Sequence, residues 1–199
     1  MRQDPARLAA RLDRPAGPAA ADALRRYTAA LLTQIHARHR GEEGFLWPLL
    51  AATAGSAVDL APLADDWQAV DAAAALAHQA LAGPLAGLQL PVRSLAGLLD
   101  AHLTDAEQQV CPALRRYLPA GAYRWGERRI LQNASAAGRR FAAPWLAGYA
   151  RAGELPRLPA GDGWRARIRL AATRPGYARL ERRAFGPDRT EIQPHQEEK

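Results

Sequence analysis

Cysteine, lysine and aromatic side chains are scarce in this chain of 199 residues. Cys111 is the sole cysteine, so the chain cannot form an internal disulfide. Phe, Trp and Tyr make up only 7% of the residues, whereas alanine dominates a hydrophobic fraction of 48%. Alanine favours helix more than any other residue, and no segment alternates apolar and polar side chains over the length of a strand. The sequence therefore predicts an all-α fold.

Long apolar runs are also missing. No uninterrupted apolar stretch reaches the length of a membrane-spanning helix, and the N-terminal segment lacks the apolar core of a signal peptide. We therefore expect no membrane association and a cytoplasmic location. The formal net charge is +7, but Lys199 is the only lysine, and the arginines are scattered outside residues 139–183. Because no basic groove interleaved with aromatic residues is visible, we expect no nucleic-acid partner.

Apolar spacing and breaker residues divide the chain into helical segments. Ser94 is a plausible N-cap of one helix, residues 87–91 resemble a turn, and Pro112 predicts a kink. We expect three parts: a helical bundle over residues 1–120, a C-terminal helical extension over 121–185 that packs on it, and a disordered tail over 186–199. Residues 153–163 are rich in Pro and Gly and are typical of a linker. The predicted helices span residues 4–13, 19–40, 63–81, 94–117, 122–150 and 164–184.

Histidines and acids share faces of two of these helices. His39 and Glu43 are four residues apart and project from one face, and His36 lies one turn before His39. His102 and Glu107 are five residues apart, which is off strict register, but a long Glu side chain can swing towards an ion held by His102. Imidazole and carboxylate ligands that converge from several helices suit iron, manganese or zinc. The sequence therefore predicts an interior metal site.

The chain resembles a known family at these segments. The sequence LLTQIHARHRGEEGFLWPLL is similar to the second helix of the hemerythrin-like (HHE cation-binding) domain, which carries a His-x-x-x-Glu pair before an apolar-Pro-Leu ending. The sequence LAGLLDAHLTDAEQQVCPALRRYL is similar to that domain's last bundle helix, in which an acid follows a His by five residues. The segments PWLAGYA and RPGYARLERRAFG resemble extensions of actinobacterial members.

The resemblance implies a fold and a ligand set. The fold would be a four-helix, up-down-up-down bundle with additional C-terminal helices. His39 would ligate one iron and His102 the other, Glu43 and Glu107 would bridge the two ions, and His78 would come from the third helix.

Two departures from the family pattern imply a partly depleted site. The family's first-helix His would precede Met1, and a further His one turn before His78 is replaced by Ala74. His36 is a candidate substitute ligand. Such a site could hold a non-haem diiron centre, zinc or no metal.

Three functions follow as alternatives. The first is a hemerythrin-like metal protein, monomeric or homodimeric, that binds oxygen or a related small ligand. The second is a biosynthetic enzyme that uses His39, Glu43, His102 or Glu107 for oxidative or acid–base chemistry on a small-molecule substrate, with or without metal. The third is an interaction protein that binds its partner through the arginine-rich C-terminal segment. Whether the chain is an enzyme stays open at this point.

Overall fold

Helices form all the regular secondary structure in residues 2–149 and 163–186, which a computed structural model describes. The all-α prediction is confirmed for these ranges. None of their helices is long and apolar enough to cross a membrane. The predicted tail over 186–199, apart from Gly186, and nearly all of the predicted linker over 153–163 lie outside the described residues. The helices are α1 (Gln3–Leu12), α2 (Pro18–Gly41), α3 (Trp47–Ala54), α4 (Ala61–Ala80), α5 (Gln89–Asp105), α6 (Cys111–Tyr117), α7 (Ala120–Asn133), α8 (Ala136–Ala147) and α9 (Gly163–Phe185).

Two pairs of consecutive helices are joined by a π-helical turn, and each pair forms one continuous helical rod. The first π-turn (Glu42–Leu46) joins α2 to α3, and the second π-turn (Ala106–Val110) joins α5 to α6. Each is followed by a helix whose first turn contains a proline, Pro48 or Pro112. Proline lacks an N–H and clashes with the carbonyl four residues before it, and a widened turn accommodates that clash without ending the helix. The predicted kink at Pro112 therefore takes the form of a π-turn.

Two predicted boundaries are wrong. The predicted turn over 87–91 is helical, because a 3₁₀ turn leads into α5 at Gln89, and Ser94 lies inside α5 rather than at its N-cap. Pro91 fits there because the first turn of a helix does not need its N–H. The predicted single helix over 122–150 is two helices, since Ser135 caps α8 by accepting a hydrogen bond from the Gly138 N–H at 2.9 Å.

The main core unites helices from both ends of the chain. Tyr27 of α2 meets the rings of Phe141 on α8 and Phe185 at the end of α9 in edge-on contacts, at centroid distances of 5.4 and 4.9 Å. Leu8 of α1 and Ala184 of α9 are buried in the same cluster. The C-terminal helices therefore share a core with α1 and α2, and the division at residue 120 stays a prediction.

A buried carboxylate joins α1 to α2 and to the end of α8. Asp4 is fully buried and accepts hydrogen bonds from the Tyr27 hydroxyl at 2.6 Å, the Trp145 indole N–H at 2.9 Å and the Tyr149 hydroxyl at 2.6 Å. Burial, and then the nearby charge of Asp4, raise the pKa of Tyr27, so its hydroxyl keeps the proton that it donates. Arg7, one turn later, pairs with Glu181 of α9 at 2.8 Å. Helix α1 thus fastens the C-terminal helices to α2.

Glycines allow α7 to approach the α2–α3 rod closely. A Cβ atom at Gly41 would lie 2.6 Å from the Ile130 side chain, and one at Gly126 would lie 2.5 Å from Leu46. Neither position accepts a larger side chain without a shift of its neighbour. This close packing brings the α7–α8 connection to the side of α2 that carries His36.

Candidate functional site

His39 and His102 are the two histidines buried among the described helices. His39 lies on α2 just before the first π-turn, and His102 lies on α5 just before the second. Burial lowers the pKa of His102; Asp66 opposes this effect, and His39 adds to it. The His102 imidazole is therefore neutral at neutral pH.

The indole of Trp67 on α4 contacts both buried imidazoles. It stacks on His39 with a centroid distance of 4.2 Å and an interplanar angle of 14°, and it meets His102 at 4.5 Å and 50°. Trp67 is only 2% exposed. Within the described part of the chain, its Nε1 and the Nδ1 of His102 have no hydrogen-bond partner. An aromatic ring thus packs between α2, α4 and α5 where the sequence predicts a metal ion.

The predicted bridging carboxylates lie at the surface. Glu43 Oε1 is 3.5 Å from His39 Nε2, but its side chain is 58% exposed. Glu107 pairs instead with Arg2, whose Nη2 lies 3.2 Å from Glu107 Oε2. Arg2 Nε also lies 2.9 Å from Asp100 Oδ1, within ion-pair distance. Arg2, which immediately precedes α1, therefore holds the Glu107 side chain of the second π-turn at the surface.

The metal predicted from the resemblance does not fit this arrangement. Among the residues that the structure describes, no three His, Cys, Asp or Glu side chains group closely enough to hold a metal ion. His36 and His78 are exposed and lie away from His102, along a cleft described below. Of the predicted ligands, only His39 and Glu43 approach one another, and Trp67 covers a face of His39.

Asp71 of α4 connects the buried stack to the surface. Its Oδ2 lies 3.2 Å from His39 Nδ1, within ion-pair distance but without hydrogen-bond geometry, and its Oδ1 lies 4.0 Å from His36 Nδ1. His36 of α2 lies beside Asp71 of α4, and His39, further along α2, stacks on Trp67, which comes earlier on α4. Contacts that advance along α2 therefore move backwards along α4, so the two helices run antiparallel. Asp71 therefore has the buried His39 on one side and the exposed His36 on the other.

A cleft opens beside Asp71, between α2, α4 and the α7–α8 connection. This α2–α4 cleft has a volume of about 860 Å³, which is in the range of small-molecule sites. Small and apolar side chains, including Leu32, Ala74, Ala75 and Ile130, form much of its wall. Its polar lining consists of Thr33, His36, Arg40, Asp71, His78, Asn133 and Ser135.

A separate, partly buried ion cluster lies where α2 meets α7. Arg38 Nε donates to Glu42 Oε1 at 2.5 Å, and its Nη1 donates to both carboxylate oxygens of Glu127 at 2.9 and 3.1 Å. One guanidinium therefore faces two carboxylates. Burial raises the pKa of Glu42 above its ordinary value, and although Arg38 opposes this, the net shift is upward. Glu42, not the neighbouring Glu43, is thus the acid at this turn that is held in the interior.

Glu42→Gln is expected to stabilise the protein at neutral pH by on the order of 1 kcal/mol. A carboxyl with a raised pKa in the folded chain favours folding below its unfolded pKa and loses that contribution as pH rises through its folded pKa. Glutamine does not titrate, so the advantage of the variant should grow from about pH 4.5 upwards. Urea unfolding at a series of pH values measures it.

Glu43→Gln is the matched control, because this exposed acid lies in the same π-turn. Its stability at pH 8 should be close to that of the native protein, because an exposed carboxylate contributes little to the free energy of unfolding. A Glu42→Gln variant that is less stable than the native protein at pH 8 would contradict the assignment.

Sequence patterns could have indicated part of this site. Asp71 follows Trp67 by four residues, and His78 follows Asp71 by seven. This spacing puts the three side chains on one face of the predicted third helix. Spacing within this helix alone does not single out Asp71 as a site residue, because no histidine lies within one turn of it. The contact between His36 and Asp71 depends on the register between two helices, which the spacing within each helix does not fix.

Comparison with known proteins identifies no relative of this chain. The chain matches no protein-family model, no curated protein and no solved structure.

Proposed function

We propose that this protein binds a small organic molecule in the α2–α4 cleft without the help of a metal ion. The observation that carries the proposal is the cleft itself, about 860 Å³ in volume, with an imidazole and a carboxylate facing each other on its wall. Small-molecule sites are typically concave and mostly apolar, with a few polar groups that orient the ligand. The α2–α4 cleft has this composition.

The His36–Asp71 pair supplies the cleft with an acid–base group. A carboxylate beside an imidazole can orient it and stabilise its protonated form, and such pairs often tighten only when a ligand is bound. The enzymatic alternative, acid–base chemistry without metal, therefore fits this cleft better than it fits the interior. The groups would be His36 and Asp71, and His39 would hold Asp71 from behind.

A hemerythrin-like ancestry remains part of the proposal. It is supported by the two buried histidines that precede π-turns on separate helices, at the positions that the resemblance assigns to ligands. Other expectations from the sequence stay predictions. They are the up-down-up-down topology, the iron-dependent function, the cytoplasmic location, the absence of a nucleic-acid partner and the monomeric or dimeric state.

Gly44→Leu tests the proposed function. Gly44 lines the cleft, and a Cβ atom there would meet no other atom within 4 Å, so the new side chain can extend into the cleft without disturbing the fold. In a fragment screen by protein-observed NMR, we expect bound fragments to shift the amide signals of cleft residues. Gly44→Leu should weaken this binding at least tenfold, and EDTA should leave it unchanged.

Gly97→Leu provides the matched control. Gly97 is also a helical glycine with open space around it, but it lies on α5, away from the cleft. Its variant should bind fragments as the native protein does. Fragments that bind only elsewhere, or that bind Gly44→Leu undiminished, would rule out the cleft as the functional site.

A further inference from the structure

We infer that the ligand of the α2–α4 cleft is an organic anion with an apolar body, and that Arg40 binds its carboxylate or phosphate group. This inference rests on the proposed function and specifies its ligand class. It is carried by the distribution of charge along the cleft and by the unpaired state of one guanidinium.

The charged side chains that line the cleft in the described part of the chain are one arginine and one acid, and they form no ion pair with each other. Arg40 is the one arginine there, and His36 and His78 add two imidazoles, whereas Asp71 is the one acid. Asp71 faces His36 and His39, with its carboxylate oxygens 4.0 and 3.2 Å from their Nδ1 atoms, rather than Arg40. An anion at Arg40 would therefore be attracted by a guanidinium that no carboxylate of the described residues neutralises.

Arg40 is available to a ligand. It is exposed, and it has no hydrogen bond or ion pair with any residue in the described ranges. This contrasts with Arg38 on the same helix, whose guanidinium is bound to Glu42 and Glu127. A guanidinium can donate two parallel hydrogen bonds to a carboxylate or phosphate, which makes it a suitable anion-binding group.

The order of groups along the cleft defines how such a ligand would lie. Arg40 is one turn beyond His36 on α2, about 6 Å along the helix axis. Because α4 runs antiparallel to α2, His78 lies on the opposite side of the His36–Asp71 pair from Arg40. An anion bound at Arg40 would therefore place its body beside the acid–base pair, against the methyl groups of Ala74 and Ala75.

Matched probe pairs test the inference. Benzoate and benzamide share a shape but differ in charge, and phenyl phosphate and the neutral phenyl sulfamate form a second pair that is closely matched in shape. NMR titration of the full chain should give at least about tenfold tighter binding of each anion than of its neutral partner, since a hydrogen-bonded ion pair contributes that much. Arg40→Gln should abolish the preference, and Arg40→Lys should retain part of it.

Arg124→Gln is the control, because Arg124 is an exposed arginine of α7 that does not line the cleft. It should leave the preference intact. Equal binding of anions and neutral probes, all blocked by Gly44→Leu, would overturn the anion inference and leave the proposed cleft standing. Anion binding that persists in both Gly44→Leu and Arg40→Gln would overturn both. An anion preference that Arg124→Gln reduces as much as Arg40→Gln would show general surface electrostatics and also overturn the inference.

Discussion

Trp67→Ala should lower the free energy of unfolding by about 3–5 kcal/mol, the usual cost of removing a large buried aromatic side chain. The indole is 2% exposed and contacts the rings of both His39 and His102. Without it, two imidazoles would line a cavity that the surrounding helices can fill only in part. Urea unfolding followed by circular dichroism measures the loss.

Two further variants make this expectation specific. Trp67→Phe keeps an aromatic ring against His39 and removes an Nε1–H that has no hydrogen-bond partner among the described residues, so it should cost clearly less than Trp67→Ala. Trp125→Ala removes an indole that is 41% exposed, and it should cost no more than about 1 kcal/mol. Similar losses for Trp67→Ala and Trp125→Ala would show that the stack does not hold the core together.

The helical elements were largely predictable from the sequence because the signals that define them are local. Apolar spacing indicated α1, α2, α4 and α9 to within a few residues, since each buries one face and ends at Gly, Pro or a polar segment. The two wrong helix boundaries lie where a local sequence signal is compatible with two different structures. Pro91 can end a turn or begin a helix, and residues 134–135 carry no glycine or proline to announce the break between α7 and α8.

The site was less predictable, because it depends on which residue of one helix faces which residue of another. Helical spacing predicts that His39 and Glu43 project from one helix face, and in the structure Glu43 Oε1 lies 3.5 Å from His39 Nε2. It could not indicate that Trp67 would contact both His39 and His102, or that Arg2 would hold Glu107 at the surface. A metal site requires all of its ligands to converge. One tryptophan at the contact between α2, α4 and α5 therefore changes the chemistry of the interior.

Arg38→Met should destabilise the protein by about 2–4 kcal/mol at neutral pH, because it leaves the buried carboxylate of Glu127 and the partly buried carboxylate of Glu42 without a counter-ion. Burial lowers the pKa of Arg38, but Glu42 and Glu127 outweigh this effect and raise it, so the guanidinium is held in its charged form. Arg26→Met is the control. Arg26 forms an exposed pair with Asp22 at 2.7 Å, and its loss should cost no more than about 1 kcal/mol.

Acidification and a triple variant separate charge from packing in this cluster. Protonated carboxyls need no counter-ion, so the difference between Arg38→Met and the native protein should narrow as pH falls towards the ordinary range of a glutamate. Combining Arg38→Met with Glu42→Gln and Glu127→Gln should recover much of the loss at neutral pH, since no buried charge remains. If the triple variant is no more stable than Arg38→Met alone, the aliphatic stem of Arg38, rather than its charge, stabilises the contact between α2 and α7.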